Sequence, residues 1–144
     1  MQIRELMTKN PTFVTPEATL QRAAELMRDE DVGIVPVVDD MNNLKLQGVL
    51  TDRDITVRAV AENRDVNAPV RNVMTADGLE RLHPDDPVDE LLDRMSAEQI
   101  RRLPVVDDED RLIGIVAQAD LLRHLGDRRT QEVEETLEEI SEPS

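Results

Sequence analysis

Cysteine, tryptophan and tyrosine are absent from this 144-residue chain, and Phe13 is its only aromatic. Without cysteine there is no disulfide, no thiolate metal site and no cysteine nucleophile, and composition carries no trace of redox compartment. With one aromatic, no platform exists on which nucleic-acid bases could stack. Positive charge is scarce as well: 17 Lys and Arg face 32 Asp and Glu, for a net charge of −15, and only Lys9 and Lys45 are lysines. Such a surface repels nucleic acid and anionic membrane, so neither is expected as a partner.

Long apolar runs are missing too. The opening Met1-Gln2-Ile3-Arg4-Glu5 is no signal peptide and nothing approaches a membrane span, so a cytoplasmic protein is expected. No nucleophile elbow, phosphate-binding loop, dinucleotide fingerprint or paired-histidine zinc motif is present, and no enzyme is expected. Metal sites are not expected either. His83 and His124 lie in different halves without ligand spacing. The acidic runs Asp39-Asp40 and Asp107 to Asp110 lack the glycine and closing glutamate of a calcium loop. They read as solvated turns.

What the chain does have is a repeat. Pro36-Val37-Val38-Asp39-Asp40 recurs letter for letter as Pro104-Val105-Val106-Asp107-Asp108. Gly48-Val49-Leu50-Thr51-Asp52-Arg53-Asp54 is answered by Gly114-Ile115-Val116-Ala117-Gln118-Ala119-Asp120, and Met7-Thr8 by Met74-Thr75. The offset drifts from 67 at the Met-Thr pair to 68 at the proline and 66 at the glycine, as loop-length changes between two copies would produce. A unit of about 60 residues is marginal alone, burying only ~60% of its unfolded surface, so two copies sharing one core are expected.

Each unit reads β-α-β-β-α. An extended Thr12-Phe13-Val14 precedes a helix from Ala18 to Asp31 with the stripe Leu20, Ala23, Ala24 and Met27; the second copy offers Val88, Leu91, Leu92 and Met95. Asp86 suits an N-cap and Pro87 the first helical position. Paired apolar runs follow: Ile34 to Val38 with Leu46 to Leu50, and Leu103 to Val106 with Leu112 to Val116. An acidic turn joins each pair, as in a hairpin or two adjacent strands. The proline in each first strand predicts a sheet edge. Helices from Asp52 to Glu62 and from Gln118 to Leu125 close the units. The expected boundaries are 1–64, 65–126 and an acidic tail, 127–144, in which Val133, Leu137 and Ile140 either line an amphipathic helix for a partner subunit or belong to a frayed end.

A duplicated β-α-β-β-α unit with apolar-Pro-Val-Val-Asp, then Gly-apolar-apolar-Thr-x-x-Asp, resembles the cystathionine-β-synthase (CBS) domain pair, or Bateman module. The resemblance spans Ile3 to Leu125, and the chain is similar to the small stand-alone bacterial hypoxia- and stress-response members. It implies an α+β fold whose two repeats pack sheet to sheet about a pseudo-two-fold axis. It also implies clefts that take AMP, ADP, ATP, NAD(H) or S-adenosylmethionine as regulatory ligands, with no cofactor required. A flat homodimer and an unidentified effector protein are the implied partners.

Thr51 and Asp54 admit two readings. A Thr-x-x-Asp at a helix start is close to a capping box; under the resemblance, the Asp54 carboxylate accepts both ribose hydroxyls and Thr51 contacts ribose or phosphate. The ligand-independent alternative is a dimeric adaptor in which the motif only caps a helix. Around this first cleft the resemblance implies Val14, Thr15, Gly33, Ile34, Val35 and Pro36 as the adenine pocket. Arg101 and Arg102, together with Arg53, are the phosphate contacts it implies, the planar guanidinium fork suiting phosphate. A second, weaker cleft would hold Asp120, Ala117, His83, Ile100, Leu103 and Pro104. Ala117 lacks the hydroxyl of Thr51, which predicts asymmetry between the two.

Overall fold

The computed structural model describes residues 1–89, 91, 95, 101–124 and 126. Its elements in chain order are β1 (Thr8–Lys9), α1 (Leu20–Glu30), β2 (Ile34–Val38), β3 (Leu46–Thr51), α2 (Asp52–Asp54), β4 (Arg102–Val106) and β5 (Leu112–Ala117). Residues 118–124 are helical beyond β5. The expected tail helix, Leu92 and Ile100 lie outside the described residues.

Both hairpins form. β2 pairs antiparallel with β3, and β4 with β5, in equivalent registers. Each acidic turn is tied by its first carboxylate: Asp39 accepts the N–H groups of Asp40 and Lys45, and Asp107 those of Glu109 and Arg111. The first turn is two residues longer, which is why the offset falls from 68 at Val38/Val106 to 66 at Leu46/Leu112. Both prolines sit on outer strands. The carbonyls of Pro36 and Pro104 accept the N–H groups of Val14 and Leu82 on the side away from the hairpin partner. A proline's missing donor faces that same side, where a single isolated bridge asks for few hydrogen bonds.

Three expectations need correction. Helix α1 starts at Leu20, because Thr19 takes the N-cap and its hydroxyl accepts the Arg22 N–H at 3.0 Å. Its buried face is Leu20, Ala23 and Met27, with Leu26 half-buried beside them and Ala24 exposed. Asp86 is no helix cap: its carboxylate accepts the His83 N–H, and Pro87 is extended in a bridge to Gln2. The helix after β3 passes from α2 into wider, π-type turns over Ile55–Val60. There the Thr56 hydroxyl donates to the Asp52 carbonyl at 3.0 Å, diverting an acceptor of the ordinary ladder.

The halves trade their lead-ins. β1 belongs to the first repeat, yet it pairs with β5 of the second, at Thr8 with Ile115 and Lys9 with Gly114. Reciprocally, Thr75 bridges Val49 in β3, with N–H···O bonds of 2.9 Å in both directions. The cores follow the same exchange. Ile3, from the first repeat, is buried with Leu82, Val88, Met95, Leu103 and Leu121; Val70 and Val73, from the second, are buried with Leu20, Met27, Val35 and Leu50. A Cβ on Gly48 would lie 2.7 Å from the Thr75 carbonyl oxygen, and one on Gly114 3.0 Å from that of Thr8. Both glycines are therefore where the opposite lead-in crosses the strand. Near the pseudo-two-fold axis, Leu46 N–H donates to Asp110 O at 3.1 Å and Leu112 N–H to Leu44 O at 2.8 Å, joining the sheets.

Candidate functional site

One large cleft, of about 1210 Å3, opens between the repeats. Its first wall comes from the turn into β2 (Gly33, Ile34) and the β3–α2 junction (Thr51, Asp52, Arg53); its second from the matching junctions, with Arg101, Arg102, Leu103 and Pro104 facing Ala117, Gln118 and Ala119. The two junctions are built alike. Asp52 N–H donates to Gly33 O at 2.9 Å, and Gln118 N–H to Arg101 O at 2.6 Å. Thr75, Gly78, Leu79 and Glu80 also line it, with Asp31, Val32, Val49 and Leu122. Residues assigned to two separate clefts are thus brought together in one: Leu103, Pro104 and Ala117 share it with Thr51. Arg53, Arg101 and Arg102 share this lining with Asp31, Asp52 and Glu80, three charges of each sign within an acidic chain.

Asp54 lies beside this cleft without forming its wall. Its side chain is only 11% exposed. The capping box is complete: Asp54 N–H donates to the Thr51 hydroxyl at 3.0 Å, and Thr51 N–H to the Asp54 carboxylate at 3.1 Å. The Thr75 hydroxyl donates to the same carboxylate, 3.2 and 3.3 Å from its two oxygens, and the Arg58 guanidinium approaches to 3.9 Å. Arg58 also reaches the Val73 and Met74 carbonyls at 3.4 Å, tying this helix to the exchanged lead-in. Thr75 and Arg58 were not singled out in the sequence. Thr75 could have been, since Met74-Thr75 repeats Met7-Thr8.

The corresponding acid of the second repeat stands differently. Asp120 pairs with Arg123 at 3.3 Å in a separate crevice of about 270 Å3 that also touches Glu5, Leu6, Thr8 and His124. Thr8 and Asp120 correspond to Thr75 and Asp54, yet no hydrogen bond joins them among the described residues. The two motif acids are therefore held by different side-chain neighbours. Several other expected residues fall away from both openings. Val14 and Val35 are buried in the first core, and Pro36 is buried in β2. Thr15 accepts the Ala18 N–H through its carbonyl, in a turn outside both linings. His83 lies outside the cleft, its imidazole 4.0 Å from the Asp86 carboxylate. Among the described residues, no group of three or more His, Cys, Asp and Glu could hold a metal, and no helix is long and apolar enough to cross a membrane.

The fold and the duplicated junctions define a paired-repeat module. The family model of the CBS domain matches residues 3–60 and again 70–127, and the chain belongs to that family. It is 37% identical over 122 residues to hypoxic response protein 1 of Mycobacterium tuberculosis, covering 85% of this chain and 83% of that protein. A crystal structure of CBSX2 in complex with AMP superposes with a TM-score of 0.76 at 25% identity, covering 89% of this chain and 98% of the other. The CBS pair of protein MJ0100, solved with 5-methylthioadenosine and S-adenosylmethionine, gives 0.75 at 30% identity over the same shares.

Proposed function

We propose that this chain is a non-catalytic regulatory module that binds an adenine-containing ligand in the cleft between its repeats and signals occupancy through their packing. The observation that carries this reading is the cleft itself, lined by the strand-to-helix junctions of both repeats, with Thr51 on one wall and Arg102 on the other. A ligand held there touches both halves at once. It can shift their arrangement by its difference in affinity between the two packings. The ligands named for CBSX2 and MJ0100 share an adenosine group, which supports an adenosine-bearing ligand here. Exposed Val57, Val60 and Leu122, on the helices that close the two repeats, suit contact with a second copy, and an effector protein would read the change.

Thermal unfolding against AMP, ADP, ATP, NAD⁺, NADH and S-adenosylmethionine tests the reading. A ligand present at a hundred times its dissociation constant adds about 2.7 kcal/mol. That corresponds to a rise of roughly 5–10 °C for a chain of this size. No response to any of the six rejects it.

The second reading is a ligand-independent dimeric adaptor, and the completed capping box favours it: Asp54 already holds the Thr51 N–H and the Thr75 hydroxyl. An Asp54→Ala variant separates the two. Loss of stability with ligand response intact assigns Asp54 to the cap alone; loss of the response assigns it to the ligand.

A further inference from the structure

Six methionines carry all the sulfur of this cysteine-free chain: Met1, Met7, Met27, Met41, Met74 and Met95. Two of them stand in equivalent places. Met7 and Met74 immediately precede Thr8 and Thr75, the residues that cross onto a strand of the opposite repeat. Each thioether covers the bare Cα of the glycine at its crossing. A Cβ on Gly114 would lie 2.7 Å from the Met7 sulfur, and one on Gly48 3.2 Å from the Met74 sulfur. Each methionine also packs on the core that its lead-in has entered, Met7 on that of Leu82 and Val116, Met74 on that of Val35 and Leu50. Both are half-buried. They are neither sealed like Met27 and Met95, 7% and 0% exposed, nor free like Met1 and Met41, 45% and 75% exposed.

From this we infer that Met7 and Met74 form a paired, reversible oxidation site, through which hydrogen peroxide loosens the grip of each repeat on the other. In the step, one peroxide oxygen transfers to the thioether sulfur: the O–O bond breaks, an S–O bond forms, and the second oxygen leaves as water. Sulfur gives up two electrons and peroxide takes them. The sulfoxide is polar where the thioether was apolar, and larger by one oxygen. It has no room on the glycine side, where the sulfur already lies against the strand. Kept in place, its dipole faces apolar neighbours without a partner; swung outward, it leaves the core beneath uncovered. Either way the lead-in is held less firmly, and with it Thr75, whose hydroxyl holds the Asp54 carboxylate. Methionine sulfoxide reductases reverse the step: a dithiol is oxidised to a disulfide, the oxygen leaves as water, and the thioether returns. This chemistry needs no ligand in the cleft, so it stands or falls apart from the nucleotide reading.

Graded hydrogen peroxide on the full chain tests the site, with sulfoxides mapped by peptide mass spectrometry and the unfolding temperature measured at each dose. Oxidation is expected first at Met1 and Met41, then at Met7 and Met74, and last at Met27 and Met95. The unfolding temperature should hold while only Met1 and Met41 are modified, and fall by several degrees once Met7 and Met74 are. Hydrogen exchange at the Val49 and Thr75 amides, which bond across the crossing, should quicken about tenfold at the same dose. Reductases of both stereochemical classes, supplied with a dithiol, should restore both readouts. Met7→Leu/Met74→Leu, a nearly volume-conserving exchange, should unfold like the native chain without peroxide and keep its unfolding temperature with it. Three outcomes overturn the site: Met7 and Met74 oxidising only together with Met27 and Met95; unfolding and exchange unchanged after both are oxidised; or the double variant losing as much to peroxide as the native chain. Where the double variant proves unstable without peroxide, the reductase arm on the native chain decides alone, recovery supporting the site and no recovery overturning it.

Discussion

The hydroxyl of Thr75 lies 3.2 Å from one carboxylate oxygen of Asp54 and 3.3 Å from the other, so the second repeat holds the motif acid of the first. The bond is part-buried and has no counterpart between Thr8 and Asp120. Thr75→Ala should lower stability by about 1 kcal/mol, the usual net worth of such a bond. Thr75→Ser, which keeps the hydroxyl, should recover most of the loss. Thermal unfolding of the two variants checks this, and equal losses in both would assign the effect to the missing methyl group.

Asp54→Asn and Asp54→Ala should differ. Asparagine keeps an oxygen that accepts the Thr51 N–H, whereas alanine leaves that N–H without its cap. The expected cost is about 1 kcal/mol for alanine and less for asparagine. Denaturant unfolding at neutral pH measures both.

Gly48 and Gly114 should respond unequally to alanine. At Gly48 the new Cβ meets backbone, the Thr75 carbonyl oxygen at 2.7 Å; at Gly114 its nearest contact is the Met7 sulfur, also at 2.7 Å. A methionine side chain can rotate away and a paired strand cannot. Gly48→Ala should therefore cost roughly 1–3 kcal/mol, in the range of overpacked cores, and Gly114→Ala less. In the double variant Gly114→Ala/Met7→Ala, the two costs should fall short of additive. Denaturant midpoints decide it.

Leu44 occupies a left-handed conformation at φ 57°, as Asp110 does at φ 63° in the equivalent place. For a leucine that geometry costs about 1–2 kcal/mol, and asparagine tolerates it far better. Leu44 is only half-buried, so Leu44→Asn should stabilise the protein by about 1 kcal/mol or slightly less. A rise in unfolding temperature is the expected readout.

Acid should loosen the two hairpin turns. The Asn43 N–H draws the Asp40 carboxyl below its ordinary range; burial opposes this, and the Asn42 N–H and Asn43 side chain assist. For Asp107, burial pushes upward, but the Arg111 N–H and guanidinium with the Glu109 N–H outweigh it, and the net shift is downward. Groups depressed in the folded state stabilise above their unfolded value, near pH 4, and lose that contribution as pH falls through the lower folded value. Stability should therefore decline below about pH 4, and less steeply in Asp107→Asn. Unfolding measured from pH 7 to pH 2.5 on both proteins tests the direction.

Much of this architecture was readable in the residues. Pro36-Val37-Val38-Asp39-Asp40 and its copy announced paired strands in each half, and the drifting offset announced a change of loop length between the copies. The exchange of lead-ins was not readable. Internal similarity says which segments are equivalent, but Met7-Thr8 looks the same whether it joins its own sheet or the other. Only the bare Cα positions of Gly48 and Gly114, with no room for a side chain, mark the crossing. At the site, Thr-x-x-Asp spacing announced a cap, and the cap is formed; the ribose contact was implied by the resemblance alone. That Asp54 would be buried under Thr75 depends on a contact spanning 21 positions, which local pattern does not carry. That Leu103, Pro104 and Ala117 share one cleft with Thr51 depends on how the sheets meet at Leu44 and Asp110. No motif encodes that meeting.

Strand β1 completes a sheet whose other members lie more than ninety positions further along the chain. A lone copy excised from this protein would possess an arm with nowhere to insert and a notch with nothing to fill it. Two such excised copies could satisfy each other, and so the duplicated gene reads as a fused, domain-swapped pair.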